Sequence, residues 1–415
     1  MAIIRVFLLA SNKNSRFHAM LNNEEVCEKS IYDSLTPSKT YTHHLWKIDK
    51  IDQFSFSIYL IMLLISWIFT FLNGDFISPL AYWDGPNYVY VAKTLYNIPE
   101  NNPWKREFNY PAYYFACHLP GFPIIIKLFA FLTFNCYWLG DIIAIIFCSF
   151  LSLYVFRRLL IVYDCVNDPK WTCLIFLCIP LRNCLYRLVG ASEPLFISLC
   201  YLALIFYKID KKLFMLLSLI GACFTRIEGL AIVGTIGLCY LLRLDFIGAI
   251  ITSLSFSVHI FLLYLHQIKF GTYKAYFIFN QGLIKFKPFY ALIENSKNFQ
   301  SIQYLFPILH LHVLMIFGCL VLFATSIPLA IFSTVYLIYN SMLFHIDVYR
   351  YALPGYILCI LVGFDAIWSH PTFKKYFYIP LFFYLLSSIG YFIGQICTNR
   401  SSAEFLYDVM NPSRP

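Results

Sequence analysis

Residues 58–96 read IYLIMLLISWIFTFLNGDFISPLAYWDGPNYVYVAKTLY. The opening half of this stretch decides the fold class, because no charged side chain falls between Ile58 and Leu72. A helix crosses the hydrocarbon core of a bilayer in about 20 apolar residues, and 56–73 reads as such a span. The second half places an aspartate, Asp84, between Trp83 and Gly85, with Pro86 two residues on. A carboxylate therefore stands where the first greasy run meets water.

The rest of the chain agrees with a membrane reading. Of its 415 residues, 60% are hydrophobic, 20% aromatic and 13% charged, against about 25% charged in soluble domains. The mean hydropathy is +0.67. Too little polar surface is available for a soluble globule, so an all-α, polytopic helical bundle is expected. The formal charge of +9 resides mostly in short segments between apolar runs, as topology signals do. It gives no support for a nucleic-acid partner. Many of the fourteen cysteines, such as Cys148, Cys173, Cys200 and Cys359, lie inside apolar runs, where Cys acts as a small hydrophobe. No CxxC or Cys/His spacing suggests a metal site or a disulfide framework.

Candidate spans are 56–73, 141–158, 171–188, 193–208, 246–266, 303–325, 327–344, 351–368 and 377–396. Residues 213–243 add two shorter pieces joined at TRIEG. The stretch PGFPIIIKLFAFLTF, 120–134, reads as a half-span or an interfacial helix. If it does not cross, about 10–12 spans result. With a cytoplasmic N-terminus, Arg157, Arg158, Lys170, Lys208, Lys211, Lys212, Arg243, Lys374 and Lys375 then share the cytoplasmic side. If it crosses, the first two of these clusters change sides. Expected boundaries are a polar cytoplasmic tail over 1–52, a membrane domain over 53–398 and a short tail over 399–415. The N-terminal MAIIRVFLLASNKNSR, broken by Arg5, does not read as a cleaved signal peptide. Loops are expected at 74–120 and 267–300. The second loop, with Lys269, Lys274, Lys285, Lys287 and Lys297, departs from the charge rule, which suits anionic lipid, a phosphate-bearing substrate or, equally, a different topology at that loop. The Asn399-Arg400-Ser401 sequon falls on the non-cytoplasmic side.

That topology gathers polar residues on one face. Ionisable groups at membrane depth cost a few kcal/mol each and face a cavity or a partner. Each also has a structural reading. Asp84 can cap a helix entered at Pro86, in which Tyr88, Val91, Ala92 and Leu95 form one face of an amphipathic helix lying on the membrane surface. Ser192 or Glu193 can start the next span, with Pro194 in its first turn. Arg226 and Glu228 can pair with each other across a helix break. His345, Asp347, Arg350 and Tyr351 can form a polar surface loop. Taken together, one base with cationic partners suits group transfer from a phosphate-activated donor. The carboxylate takes the acceptor's proton, and a cation offsets charge on the departing phosphate.

These motifs resemble the GT-C membrane glycosyltransferases, most closely the glycosylphosphatidylinositol (GPI) mannosyltransferases that add the second mannose. YWDGPNYVYVAKTLY is similar to their W-D-G-x-x-Y/F-x-x-I-A loop through Trp83, Asp84, Gly85, Tyr88 and Ala92, with Val91 for Ile. HLPGFPIIIKLF resembles the Pro-rich stretch that follows. GASEPLFISLCYLAL resembles Y-S-E-S-L-F through Ser192, Glu193, Leu195 and Phe196. TRIEGL resembles T-R-x-x-G-L through Thr225, Arg226, Gly229 and Leu230. HIDVYRYALPGY is similar to a late loop, H-x-E-x-R-F-x-x-P, with His345 and Arg350 one residue further apart. The resemblance implies a luminal site in the endoplasmic reticulum, a dolichyl-phosphate-mannose donor, a lipid-linked glycan acceptor and no metal or other cofactor. It makes Asp84 the base. Trp83, Tyr88, Glu193, Arg226, Glu228, His345, Asp347 and Arg350 are the expected substrate contacts, and a small membrane subunit is a conceivable partner. Two alternatives stay open. One is a related transferase acting on an N-glycan precursor or a protein. The other is a transporter, which would be expected to show paired repeats and midplane charges.

Overall fold

The computed structural model describes residues 35–36, 45–72, 77–284, 286–289, 293, 302–345, 347–398 and 400–410. Most of the expected N-terminal tail and the sequon's Asn399 lie outside these residues. The fold is all-α: among the described residues there is no strand, only two isolated bridges, Tyr82–Arg400 and Ile284–Leu343. The principal helices are α1 Lys50–Leu72, α2 Gly85–Thr94, α3 Gly121–Leu132, α4 Tyr137–Tyr163, α5 Glu193–Lys208, α6 Lys212–Thr225, α7 Gly229–Leu242, α8 Phe246–Phe270, α9 Ile302–Thr325, α10 Ile327–Ser341, α11 Val348–Gly363, α12 Pro371–Thr398 and α13 Ala403–Met410. Five are long and apolar enough to cross a membrane: α1, α4, α8, the Phe306–Thr325 part of α9, and α12. Helices α3, α6, α7, α10 and α11 are apolar but shorter.

One expected span is not a single helix. Residues 171–188 fall into Pro169–Phe176 and Leu181–Tyr186, separated by a turn at Pro180. Proline has no amide hydrogen to continue a helical ladder, and an apolar run by itself does not reveal the interruption. The carbonyls released at Phe176 and Leu177 accept hydrogen bonds from Arg187 Nη2 at 2.7 and 2.6 Å. Arg187 is fully buried, and its guanidinium also lies over the Phe176 ring. Its own carbonyl accepts from Tyr59 Oη and Ser149 Oγ at 2.8 and 2.9 Å. Irregular backbone inside an apolar bundle requires such replacement partners.

A second correction concerns α2, expected as an amphipathic helix on the membrane surface. Every residue from Gly85 to Ala92 is buried. The helix packs on α3 and is covered by α13, whose Phe405, Leu406, Val409 and Met410 are buried. The C-terminal segment, expected as a tail, therefore roofs the first loop. Ser401 N donates to Ala81 O at 3.0 Å, Arg400 bonds the Ser78 hydroxyl, and Phe405 meets Trp104 edge-on at 4.8 Å.

Close backbone approaches fix this loop against the bundle. A Cβ on Gly190 would sit 3.2 Å from Gly85 Cα and 3.3 Å from Asp141 Oδ2. A Cβ on Gly121 would meet Thr225 Cα at 2.7 Å, so the start of α3 touches the residue before Arg226. At the other end of α4, about 25 Å from Asp141 at 1.5 Å per residue, Arg157 and Arg158 bind the beginning of α1. Arg157 pairs with Asp49 at 2.6 Å and Asp52 at 2.9 Å, and Arg158 with Asp52 at 2.6 Å. The last residues of the expected tail are thus docked, and Trp46 O accepts from Tyr154 Oη at 2.5 Å.

Candidate active site

The ionisable residues of four separate segments converge beside the buried α2. Arg350, near the start of α11, donates through Nη1 to Asp84 Oδ2 at 2.6 Å and through Nε to Glu193 Oε1. Arg226, in the break between α6 and α7, donates to the same Glu193 oxygen at 2.7 Å and pairs with Glu228 at 3.1 Å. Ser192 Oγ bridges the two halves, 3.3 Å from Arg226 Nη1 and 2.9 Å from Tyr88 Oη. Asp84 and Arg350 lie 266 residues apart in the chain.

Local structure explains how each group is presented. Trp83 holds φ at +40°, a region that a tryptophan rarely enters. Asp84 follows at the N-cap of α2, yet its carboxylate takes no backbone hydrogen bond from that helix, only a long one of 3.4 Å from the Asn87 side chain to Oδ1. It turns to Arg350 instead, which sets the simple capping role aside. Glu193 opens α5 in the same manner, with its carboxylate committed to the two arginines. The Arg226–Glu228 pairing is present as well, but it is one arm of a larger network.

Asp84, Tyr88, Glu193, Arg226, Glu228 and Arg350 are therefore brought together. Asp347 stands one step away: it accepts from Tyr186 Oη at 2.7 Å and pairs with Arg182 at 3.3 Å, while Arg350 lies over the Tyr186 ring. His345 is turned to its own loop, where Nδ1 accepts from Asp347 N at 2.9 Å and the ring meets Tyr351 edge-on. Trp83 has a half-exposed indole and no polar contact to the cluster.

Several members were not singled out from the sequence. His118 Nε2 lies 3.5 Å from Asp84 Oδ1 and 3.1 Å from Asn87 Nδ2. Asn87 also donates to Tyr114 Oη at 3.0 Å. Tyr351 lies beneath the Arg226 guanidinium at 5.2 Å. His118 sits in HLPGFP, whose prolines and aromatics drew attention to its backbone rather than to an imidazole. Tyr114 and Tyr186 are lost among 32 tyrosines, whereas Tyr351 belongs to the 345–351 polar cluster read from the sequence.

The electrostatics single out Asp84. Its side chain is 23% exposed, against 3% for Glu193 and Glu228, so of these three it is the carboxylate open to solvent. Burial raises its pKa, but the Arg350 charge and the His118 contact outweigh that and hold it well below the usual carboxylate range. Burial works against the Arg226 charge, and Glu228 and Glu193 more than restore it. With all five groups ionised, three carboxylates face two guanidiniums, one negative charge in excess. Glu193 Oε2 is buried without a hydrogen-bond partner. A separate apolar cavity of about 280 Å³ lies between α7 and α8, lined by Val233, Gly234, Gly237, Leu241 and Phe256, without a charged side chain.

No protein-family model matches the chain, and no curated protein matches it.

Proposed function

We propose that this membrane protein is a multi-pass hexosyltransferase of the GT-C type. It would move mannose from dolichyl-phosphate-mannose to a lipid-linked glycan, a GPI precursor, on the luminal face of the endoplasmic reticulum. The observation that carries this reading is the convergence of Asp84 with Arg350, Glu193 and Arg226 from four distant segments.

The chemistry follows from the groups. The acceptor hydroxyl meets Asp84, the exposed carboxylate, which takes its proton. The acceptor oxygen attacks the anomeric carbon, and the bond to the phosphate oxygen breaks with its electron pair going to polyprenyl phosphate. Guanidinium groups match phosphate bidentately, and Arg350 and Arg226 are the available pair. In the resting arrangement Arg350 lowers the basicity of Asp84. A donor phosphate that draws Arg350 onto itself removes that counter-charge and makes Asp84 a stronger base as the acceptor arrives. The donor tail would lie along the apolar helices. The Arg157/Arg158 pairs at the opposite end of α4 support a cytoplasmic position for that end.

The test is transfer from dolichyl-phosphate-mannose by the full chain in membranes, with GPI and N-glycan intermediates as acceptors. Asp84→Asn is expected to lower turnover at least about 10³-fold with normal accumulation. Full activity of that variant rejects the base. A wild-type protein that transfers to no acceptor rejects the enzyme, and transfer only to N-glycan precursors moves it to the neighbouring reading.

A further inference from the structure

His118 is placed as a proton acceptor rather than as filling. Its side chain is 6% exposed, inside a cage of Tyr88, Tyr114 and Phe115 rings. Nε2 faces two groups of opposite character. Asn87 Nδ2, at 3.1 Å, can only donate, and its two hydrogens are shared among Nε2, Tyr114 Oη at 3.0 Å and Asp84 Oδ1 at 3.4 Å, whereas the Asp84 carboxylate, with Oδ1 3.5 Å from Nε2, can only accept. One nitrogen cannot serve both at once. Bare, it accepts from Asn87; bearing a hydrogen, it donates to Asp84. The other ring nitrogen normally fixes the tautomer through its own hydrogen bond, but Nδ1 is buried and has no partner. Nothing therefore holds Nε2 in one protonation state.

The ring is held in place by its backbone: His118 O accepts from Tyr96 Oη at 2.7 Å. The titratable and charged groups around it are Asp84, Tyr88 and Tyr96 from α2 and its flanks, Tyr114 and Cys117 from the Ala112–Cys117 turn, and Arg350 beyond Asp84. Asp84 is the one that Nε2 directly addresses.

We propose that His118 is the proton-accepting partner of Asp84 and positions it for each turnover. This rests on the transferase reading. Asp84 Oδ1 takes the acceptor hydroxyl's proton while the acceptor oxygen bonds to the anomeric carbon and polyprenyl phosphate leaves with the electron pair. The proton then passes to Nε2. Asp84 returns to carboxylate, now paired with an imidazolium, and the Asn87 contact is exchanged for one to Asp84. The imidazolium gives its proton to water before the next cycle. An imidazole is intrinsically a better resting place for a proton than an arginine-paired carboxylate.

The experiment uses the full chain in membranes, with dolichyl-phosphate-mannose and whichever acceptor the wild type uses, from pH 5 to pH 9. The wild-type turnover number should fall on the acid side of that range. His118→Phe and His118→Gln should lower it by about 10- to 100-fold, change either KM by less than about threefold, and lose that acid limb. Either variant retaining wild-type turnover and the same limb overturns the proposal. A wild-type profile flat from pH 5 to pH 8 overturns it without any variant. A wild type without transferase activity instead removes the reading beneath it, so the two failures are distinct.

Discussion

The protein holds two buried ionic clusters at opposite ends of α4, and they are built differently. At one end Arg157 and Arg158 face Asp49 and Asp52, two charges of each sign supplied by two neighbouring segments. Arg158 and Asp52 are each 1% exposed. At the other end three carboxylates share two guanidiniums drawn from four segments, one carboxylate opens to solvent, and a Glu193 oxygen has no partner. The matched cluster balances its charges, although Arg157 Nε and Arg158 Nε are buried without a hydrogen-bond partner, and it serves as a fastener between α1 and α4. An unmatched one retains capacity for a proton or a ligand. Buried pairs contribute little net stability compared with an apolar replacement, while removal of one partner is costly. Charge balance, rather than exposure or the number of ion pairs, separates scaffold from site, since Asp49 in the fastener is 47% exposed and Asp84 23%.

Parallel substitutions test that distinction most strongly. Arg158→Met and Arg350→Met should each destabilise the purified protein by roughly 3 kcal/mol, because each takes one cation out of a buried ionic cluster. Their activities should then diverge. Transfer per folded molecule should stay within about twofold for Arg158→Met and fall at least about 100-fold for Arg350→Met. Thermal melts paired with initial rates give both numbers. Equal losses of specific activity would mean that the two ends are not separate in function.

A smaller effect is expected at Ser192, whose hydroxyl bridges Tyr88 and Arg226. Ser192→Ala should cost about 1 kcal/mol and raise the donor KM a few-fold, read from melts and saturation curves. An unchanged KM would assign the bridge to packing alone.

The smallest effect lies at the edge of the fastener. The hydrogen bond from Arg157 holds the Asp49 carboxyl at about 2, below its ordinary 3.8. A folded-state pKa below the unfolded one stabilises the protein above pH 3.8, and that stabilisation is lost as pH falls through about 2. Asp49→Asn should therefore show a small melting deficit at neutral pH that closes near pH 2. Because Asp49 is 47% exposed, the deficit should also shrink in high salt. A deficit that persists unchanged at pH 2 would trace to packing instead.

Much of the site was readable because a charge at the end of an apolar run is conspicuous. Asp84, Glu193, Arg226, Glu228 and Arg350 could be named before any contact between them was known. Their joining was not readable, since it depends on how distant helices pack. The helix at 193–208 was delimited correctly, bounded by Pro194 in its first turn and Lys208 in its last. The break at Pro180 escaped notice because hydropathy averages over it and the compensating donor, Arg187, lies further along the chain. The burial of α2 was hidden for a related reason. Periodicity reports the face that a helix shows to water, and the cover for α2 comes from residues 403–410. His118 carries no formal charge and stands in an apolar context, so only its spatial neighbours reveal it.

That cover has a consequence for biosynthesis. The first loop and the segment that roofs it are separated by 322 residues, from Ser78 to Arg400. At translation rates of about 5–20 residues per second, the loop waits on the order of 15–60 s for its lid. Throughout that interval the Trp104 ring lacks its edge-on partner Phe405, leaving apolar surface that a chaperone would recognise. Completion of the first loop thus waits until residues 400–410 have been made, and truncation near position 400 would leave the described long helices in place beside an unroofed loop.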